Sequence, residues 1–290
     1  STLLASSAAS DVYKRQNPQQ QYYVLVPEQF TMQAQKDVVA RHPAHGTMNI
    51  DVVSFQRLAY RIFEELAVEN LQILDDMGKS MVLRKVAAEK SRQLVLFRGH
   101  LNQAGFVSQL KSMLSEFYQY GIGPEQLREM AAAAKTPLLK QKLEDFALVF
   151  EGFRQFIAGH YVTTEEVLEV LCRILPQSQL IKDSVIALDG YTGFTPVQYR
   201  LAELFMAYAK QVIVTVTADP EVDLYGSRGM QNLFFMSRQM AVRLSKLAEK
   251  NQVKKLPDRW VTRGKDFAVP EELDFLEKNL LRYGRSPYKG

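Results

Sequence analysis

VIALDGYTGFTPVQ, residues Val185 to Gln198, is the stretch on which the fold is read. Val185 to Leu188 is a short apolar run of the kind that forms a buried strand. Asp189-Gly190-Tyr191 is an acidic turn. Thr195 and Pro196 then open a helix, with a capping hydroxyl followed by a residue whose φ is already helical. An Asp at the tip of an apolar strand is where nucleotide-hydrolysing α/β proteins hold Mg²⁺. In a working motor ATPase the following residue is usually a Glu that activates water; here it is Gly190. The stretch is therefore either an ATPase site without its catalytic acid or a site put to another use.

Working outward, the upstream seventy residues read β-α-β-α. Tyr22 to Val26 (YYVLV) is β-rich, and Pro27-Glu28-Gln29 starts a helix that runs to about Arg41. Ile50 to Val53 is a second strand. Ser54 caps a helix whose apolar residues Phe55, Leu58, Ala59, Ile62, Phe63 and Leu66 keep a helical period. Downstream come a helix over Pro196 to Ala209, a strand over Val212 to Val216, a polar loop over 218–230 and a helix from about Gln231 to Lys250. A weak strand is expected near Val253 and a last helix over Pro270 to Leu281.

Between about Leu74 and Leu175 strand signals vanish. Helices are predicted over Met77 to Arg92, Ala104 to Tyr120, Pro124 to Ala133, Leu138 to Ala158 and Thr164 to Leu175, with no fixed-period repeat. The expected architecture is an α/β domain, a parallel sheet with flanking helices, built from residues 21–72 and 178–290 and interrupted by an all-helical insertion over 73–177. Residues 1–20 are expected to be a disordered leader foreign to the domain, and the closing SPYKG to fall short of a domain's end.

Bulk properties narrow the class. The 290 residues are 47% hydrophobic, enough for one large domain or two modest ones. No apolar run approaches the roughly 18 residues of a membrane helix. The lone cysteine, Cys172 in EVLEVLCRIL, excludes a disulfide within the chain and fits a reducing cytoplasm. A net charge of +4 and a pI near 8.9 permit nucleic-acid binding without requiring it. His42 and His45 in HPAHG have no third ligand nearby and read as loop residues, so no metal site is expected.

In an open parallel sheet, ligands bind beyond the carboxyl ends of the strands. Those ends offer amides and hydroxyls (Gln29, Thr31, Ser54, Gln56), the Arg57 guanidinium, and the aromatic faces of Phe55, Tyr60, Tyr191 and Phe194. Aromatic faces stack on bases, and arginine, amides and helix N-termini take phosphates, so the mix suits a single nucleic-acid strand. It is a poor acid–base set. The alternative is structural: Phe55 and Tyr60 pack their helix on the sheet, Tyr191 and Phe194 cover its edge, and Asp189 holds its own turn. A phosphate-cradling GxxxxGK[ST] is absent. Met77-Gly78-Lys79-Ser80 contains GKS, but Ile73 stands where the first glycine belongs and no strand precedes it, so it reads as a helix start. Gly226-Ser227-Arg228-Gly229 lacks the lysine.

This order of segments resembles the first motor domain of superfamily 1 (UvrD-like) helicases. LVPEQFTMQ, VVSFQRLAYRIFEE, LSEFYQYGIGPEQL and IALDGYTGFTPVQY together resemble the N-terminal part of the AddB family, which pairs with AddA in the bacterial AddAB helicase–nucleases, from about Tyr22 to the C-terminus. The resemblance implies a helicase-like P-loop NTPase domain lacking its phosphate-loop strand. It implies a role in processing double-strand DNA ends for recombinational repair, in a heterodimer with AddA. There the helicase-like domain holds the 3′ single strand and reads the Chi sequence rather than acting as the motor. By position it assigns DNA contacts to Gln29, Thr31, Phe55, Arg57, Tyr60 and Tyr191, and a degenerate metal motif to Asp189. The family's ATP, Mg²⁺ and iron–sulfur cluster belong to segments outside this stretch, so no cofactor and no catalytic residue is expected here. An active ATPase or helicase, and a scaffold that only docks the partner subunit, are the competing expectations.

Overall fold

The computed structural model describes residues 20–41, 49–68, 72–101, 103, 105–158, 160–219, 223–226, 233–261 and 270–279. Residues 1–19 of the expected leader, the HPAHG loop, Gly229 with the rest of 227–232, and the closing SPYKG lie outside these. In chain order, β1 (Gln21–Leu25), α1 (Thr31–Arg41), β2 (Ile50–Val53) and α2 (Phe55–Glu65) come first. A two-residue β3 (Ile73–Leu74) leads into α3 (Asp76–Glu89), α4 (Phe106–Tyr120), α5 (Pro124–Ala132) and α6 (Pro137–Ile157). Then follow β4 (Val162–Thr163), α7 (Val167–Ile174), the single turn α8 (Gln179–Lys182), β5 (Ser184–Leu188), α9 (Pro196–Tyr208) and β6 (Gln211–Val214). Two further helices, α10 (Phe235–Lys250) and α11 (Glu271–Asn279), complete the described chain.

The architecture is the expected α/β one, a parallel four-stranded sheet in the order β2-β1-β5-β6 with flanking helices. β5 and β6 run in register from Val185 against Gln211 to Leu188 against Val214. β1 and β5 are hydrogen-bonded neighbours, the Asp189 N–H donating to the Leu25 carbonyl at 2.8 Å. By internal contacts the chain divides into two compact units, each described by itself: residues 1–52, 185–193 and 211–290, and residues 53–184 and 194–210.

The first unit holds most of the sheet. Tyr22, Val24, Val26, Ile50, Val185 and Ala187 bury one face against Val38 of α1, with Ala34, Val52 and Ile213 packed at the margin. The alternate residues Tyr23, Leu25, Ile186 and Leu188 are buried too, at 2% exposure or less. A strand buried on both faces must be apolar throughout, which is why these strands show as continuous runs rather than alternation. No strand forms at Val253. The Val253 N–H instead reaches back to the Ala248 carbonyl at 2.9 Å, and Gln252 takes a left-handed φ of 56°. This closes the C-terminus of α10 in a Schellman-type turn, in which an apolar residue follows the left-handed one.

The second unit packs a helical core. Phe146, Phe150, Phe153 and Val149 of α6 meet Val82, Leu83 and Val86 of α3, Leu110 and Leu114 of α4, and Leu127 of α5. α3 and α6 cross closely at Gly152, where a Cβ would lie 2.6 Å from Val86 Cγ1. Two carboxylates, one buried and one half-buried, replace missing helix-end partners. Asp145, 2% exposed, accepts from the Val95, Leu96 and Phe97 amides at 2.7–3.1 Å and so holds the single 3₁₀ turn Phe97–His100. Glu65 accepts from the Gln179 and Leu180 amides and from the Ser178 hydroxyl, joining the end of α2 to the start of α8. The all-helical expectation for this stretch omits β3 and β4, which pair in parallel, Ile73 with Val162 and Leu74 with Thr163.

Candidate nucleic-acid interface

The turn after β5 explains why glycine follows Asp189. Gly190 has φ 74°, the left-handed region, and a Glu there would carry a penalty of about 1–2 kcal/mol. Its backbone N–H bonds the Asp189 carboxylate, and the Thr215 hydroxyl donates to the same group. Asp189 is 5% exposed, and burial raises its pKa against the opposing pull of the Thr215 and Gly190 hydrogen bonds. With the Asp189 N–H on Leu25 and the Thr215 N–H on the Leu188 carbonyl, the residue ties β5 to both neighbours at their carboxyl ends. Among the described residues no group of three or more His, Cys, Asp or Glu gathers as a metal site.

In the same unit, β1 runs through Pro27 into a 3₁₀ turn over Glu28–Phe30. The Phe30 N–H donates to the Pro27 carbonyl at 2.8 Å, and the Thr31 hydroxyl donates to the Glu28 carbonyl at 2.9 Å. Thr31 is thus 6% exposed and its hydroxyl locks the turn, while Gln29 is exposed. Tyr191 is half-buried. Burial first, then the Asp189 and Glu28 carboxylates, hold its phenol far above the usual range, so it stays a neutral donor.

The second unit holds the other three candidates on α2. Ser54 caps the helix, its hydroxyl accepting from the Arg57 N–H at 3.3 Å. Phe55 is core: 5% exposed, edge-on to Phe194 at 6.2 Å and stacked on Phe205 at 6.3 Å. Leu58, Ala59, Ile62 and Phe63 continue that buried face. Arg57 and Tyr60 stand three residues apart on the opposite, exposed face, a spacing that makes them neighbours on a helix surface. Tyr60 lies edge-on to Phe63 at 6.2 Å.

The GKS tripeptide is a helix start, as its sequence reads, but the two-residue β3 does precede it, where no strand was expected. Asp75 caps α3 by accepting from the Gly78 N–H at 2.7 Å. What the sequence does not signal is the fate of Lys79. It is 2% exposed, its ammonium 3.0 Å from Glu165, 3.0 Å from Asp76 and 3.1 Å from the Thr164 hydroxyl. Sequence reasoning also passes over Phe30, which is 47% exposed between Gln29 and Thr31. An apolar residue at a helix start ordinarily packs inward; its place on a 3₁₀ turn puts this one outside.

A family model described as ADDB, N-terminal, matches residues 5–277. A protein of Lachnoclostridium phytofermentans, named as the B subunit of an ATP-dependent helicase/deoxyribonuclease, is 41% identical over 278 residues, covering 94% of this chain and 24% of that protein. The identically named protein of Caldanaerobacter subterraneus subsp. tengcongensis is 33% identical over 268 residues, 92% of this chain and 23% of that protein. That of Clostridium kluyveri is 31% identical over 230 residues, 79% of this chain and 20% of that protein. The chain spans less than a quarter of the length of these curated relatives.

Proposed function

This chain belongs to the ADDB N-terminal family, and we propose that it is the helicase-like, DNA-holding part of the B subunit of an ATP-dependent helicase/nuclease that processes double-strand DNA ends for recombinational repair. In this reading it works beside AddA, grips the 3′ single strand and contributes to reading the Chi sequence. The observation that carries it is the pair Arg57 and Tyr60. A guanidinium and an aromatic ring share the exposed face of α2, while every other apolar side chain from Phe55 to Phe63 is buried. That pairing supplies a phosphate partner and a stacking face to one strand. In the other unit, Gln29 is exposed on the turn after β1.

Two observations weigh against ATP hydrolysis at the residues that the sequence suggested for it. Asp189 is taken up by Thr215 and Gly190, and Lys79 by Asp76, Thr164 and Glu165 of its own unit. The test is fluorescence anisotropy with a labelled oligo-dT. The chain should bind it, and Arg57→Ala with Tyr60→Ala should weaken binding at least ten-fold, since a stacked aromatic alone is worth about 1–3 kcal/mol. Equal affinity in parent and double variant would remove α2 from the interface; DNA-stimulated phosphate release would restore the ATPase.

A further inference from the structure

The chain's charge is unevenly spread. Of its 36 basic and 32 acidic residues, seven basic and two acidic fall within residues 235–261. That stretch carries +5, and the rest of the chain, with 29 basic and 30 acidic residues, carries −1. It comprises α10 and the segment after it, both in the first unit. On α10 the charges are sorted by face. Ser237, Met240, Ala241, Leu244 and Ala248 are buried. Gln239, Arg243, Lys246 and Lys250 follow one another at spacings of four, three and four residues, which puts them in one row on the opposite face, and all four are exposed. Glu249, the only acidic residue of the helix, lies roughly a quarter-turn to one side of that row. The helix dipole alone would account for Lys250 in the last turn, but Arg243 and Lys246 stand before that turn. The segment that follows adds the exposed Lys254 and Arg259, and it is tied to the helix at two points. The Val253 N–H bonds the Ala248 carbonyl. The Lys255 ammonium sits over the Tyr225 ring, 3.8 Å from its centre, on a turn whose Asp223 and Gly226 carbonyls accept from the buried Arg238 guanidinium of α10. Cations on a backbone held in this way lose little freedom when they are bound.

We propose that α10 and residues 253–259 form a docking surface for double-stranded DNA, which they grip by its sugar–phosphate backbone. From Arg243 to Lys250 the row runs about 10 Å along the helix, a length suited to a line of phosphates and not to one small anion. The row carries no aromatic ring. A single-strand site interleaves rings with cations because unpaired bases offer their faces. In a duplex the bases are turned inward and the phosphates line the outside, so cations alone suffice. The inference rests on the reading of the chain as part of a subunit that works on double-strand DNA ends. To the strand-holding residues of α2 it adds a contact that is blind to sequence.

The test is fluorescence anisotropy with a labelled blunt-ended duplex, repeated across a range of salt. Lys246→Gln, Lys250→Gln and Lys254→Gln together should weaken duplex binding roughly ten-fold or more and reduce the slope of log affinity against log salt by about 2.7, three phosphates at about 0.9 each. Labelled oligo-dT should bind parent and triple variant equally. All three lysines are exposed, so the variant keeps the fold, which circular dichroism checks. If the duplex binds the triple variant as tightly as the parent and with the same slope, α10 is not its surface and the single-strand reading stands. The same holds if the parent binds oligo-dT but no duplex. If oligo-dT loses as much affinity as the duplex, the row is a general strand contact and the duplex assignment falls. If poly-glutamate displaces the labelled duplex as well as unlabelled duplex of equal charge does, the surface belongs to an acidic protein. If the parent binds neither DNA, both readings fall.

Discussion

At Asp189 a single carboxylate acts as a joint. It is shielded from water and receives the Thr215 hydroxyl and the Gly190 amide. A raised pKa means that the folded state holds this proton more tightly than the unfolded chain does. Its stabilising contribution is complete below the ordinary value of 3.8 and is lost as pH rises through the folded-state value. Asp189→Asn removes the buried charge and keeps an oxygen for Thr215, so its urea midpoint at pH 7 should equal or exceed the parent's. Thr215→Val strips the donor and should cost about 1–3 kcal/mol. A loss of stability in Asp189→Asn, together with a gain on adding Mg²⁺ that only the parent shows, would make the residue a metal ligand after all. Period separates the other site residues. On α2 the positions 55, 58, 59, 62 and 63 fall on one face, which buries Phe55 and leaves Arg57 and Tyr60 outside; the expectation treated Phe55 and Tyr60 alike, although only Phe55 belongs to the apolar period. Thr215, a strand and a helix away from Asp189, left no mark in the sequence, because a hydrogen bond between neighbouring strands has no local pattern.

Between elements, the Lys79–Glu165 pair carries two opposite charges into the interior. It joins the first turn of α3 to the turn before α7, and Ser115 of α4 bonds Glu165 at 2.6 Å. Burial pushes the Glu165 pKa up, but the Ser115 and Lys79 hydrogen bonds outweigh it and the net shift is downward. Lys79 ends above its ordinary 10.5, the carboxylates overcoming its own burial. The depressed carboxylate stabilises the fold above about pH 4.5 and loses that contribution as pH falls through its folded value; the lysine's is lost as pH rises beyond 10.5. Lys79→Ala should cost about 3–5 kcal/mol by stranding Glu165. Lys79→Met, which refills the space, should cost less, and both should flatten the acid limb of a urea-midpoint profile. An unchanged acid limb would place that pH dependence elsewhere. The four sheet strands and the long helices were readable because each spans enough residues to show a period or an apolar run. β3 and β4 were not, since two residues show neither. At Val253 an apolar residue beside charged neighbours resembled a strand, but the left-handed Gln252 uses it to finish a helix.

For the whole molecule, charge sets how a nucleic acid would be held. With 36 basic and 32 acidic residues the chain has only a slight general attraction for a polyanion. Binding should therefore depend on a few local contacts, and salt should report them one at a time. Arg57→Ala should reduce the slope of log affinity against log salt by about 0.7, the value of one phosphate on a single strand, whereas Tyr60→Ala should lower affinity and leave the slope alone. Identical slopes for parent and Arg57→Ala would mean that this guanidinium meets no phosphate.

The short β3–β4 pair has a consequence for how such a chain can change over generations. Ile73 and Leu74 lie beside Val162 and Thr163, so the chain from Asp75 to Tyr161 leaves and returns through one doorway. Within that segment the loops between helices can be lengthened or shortened cheaply, because each doubling of a flexible loop costs only about 0.6 kcal/mol. The helices themselves are anchored to the rest of their unit by Lys79 and Ser115 on Glu165, so change in length is expected at the loop tips and not in the helices.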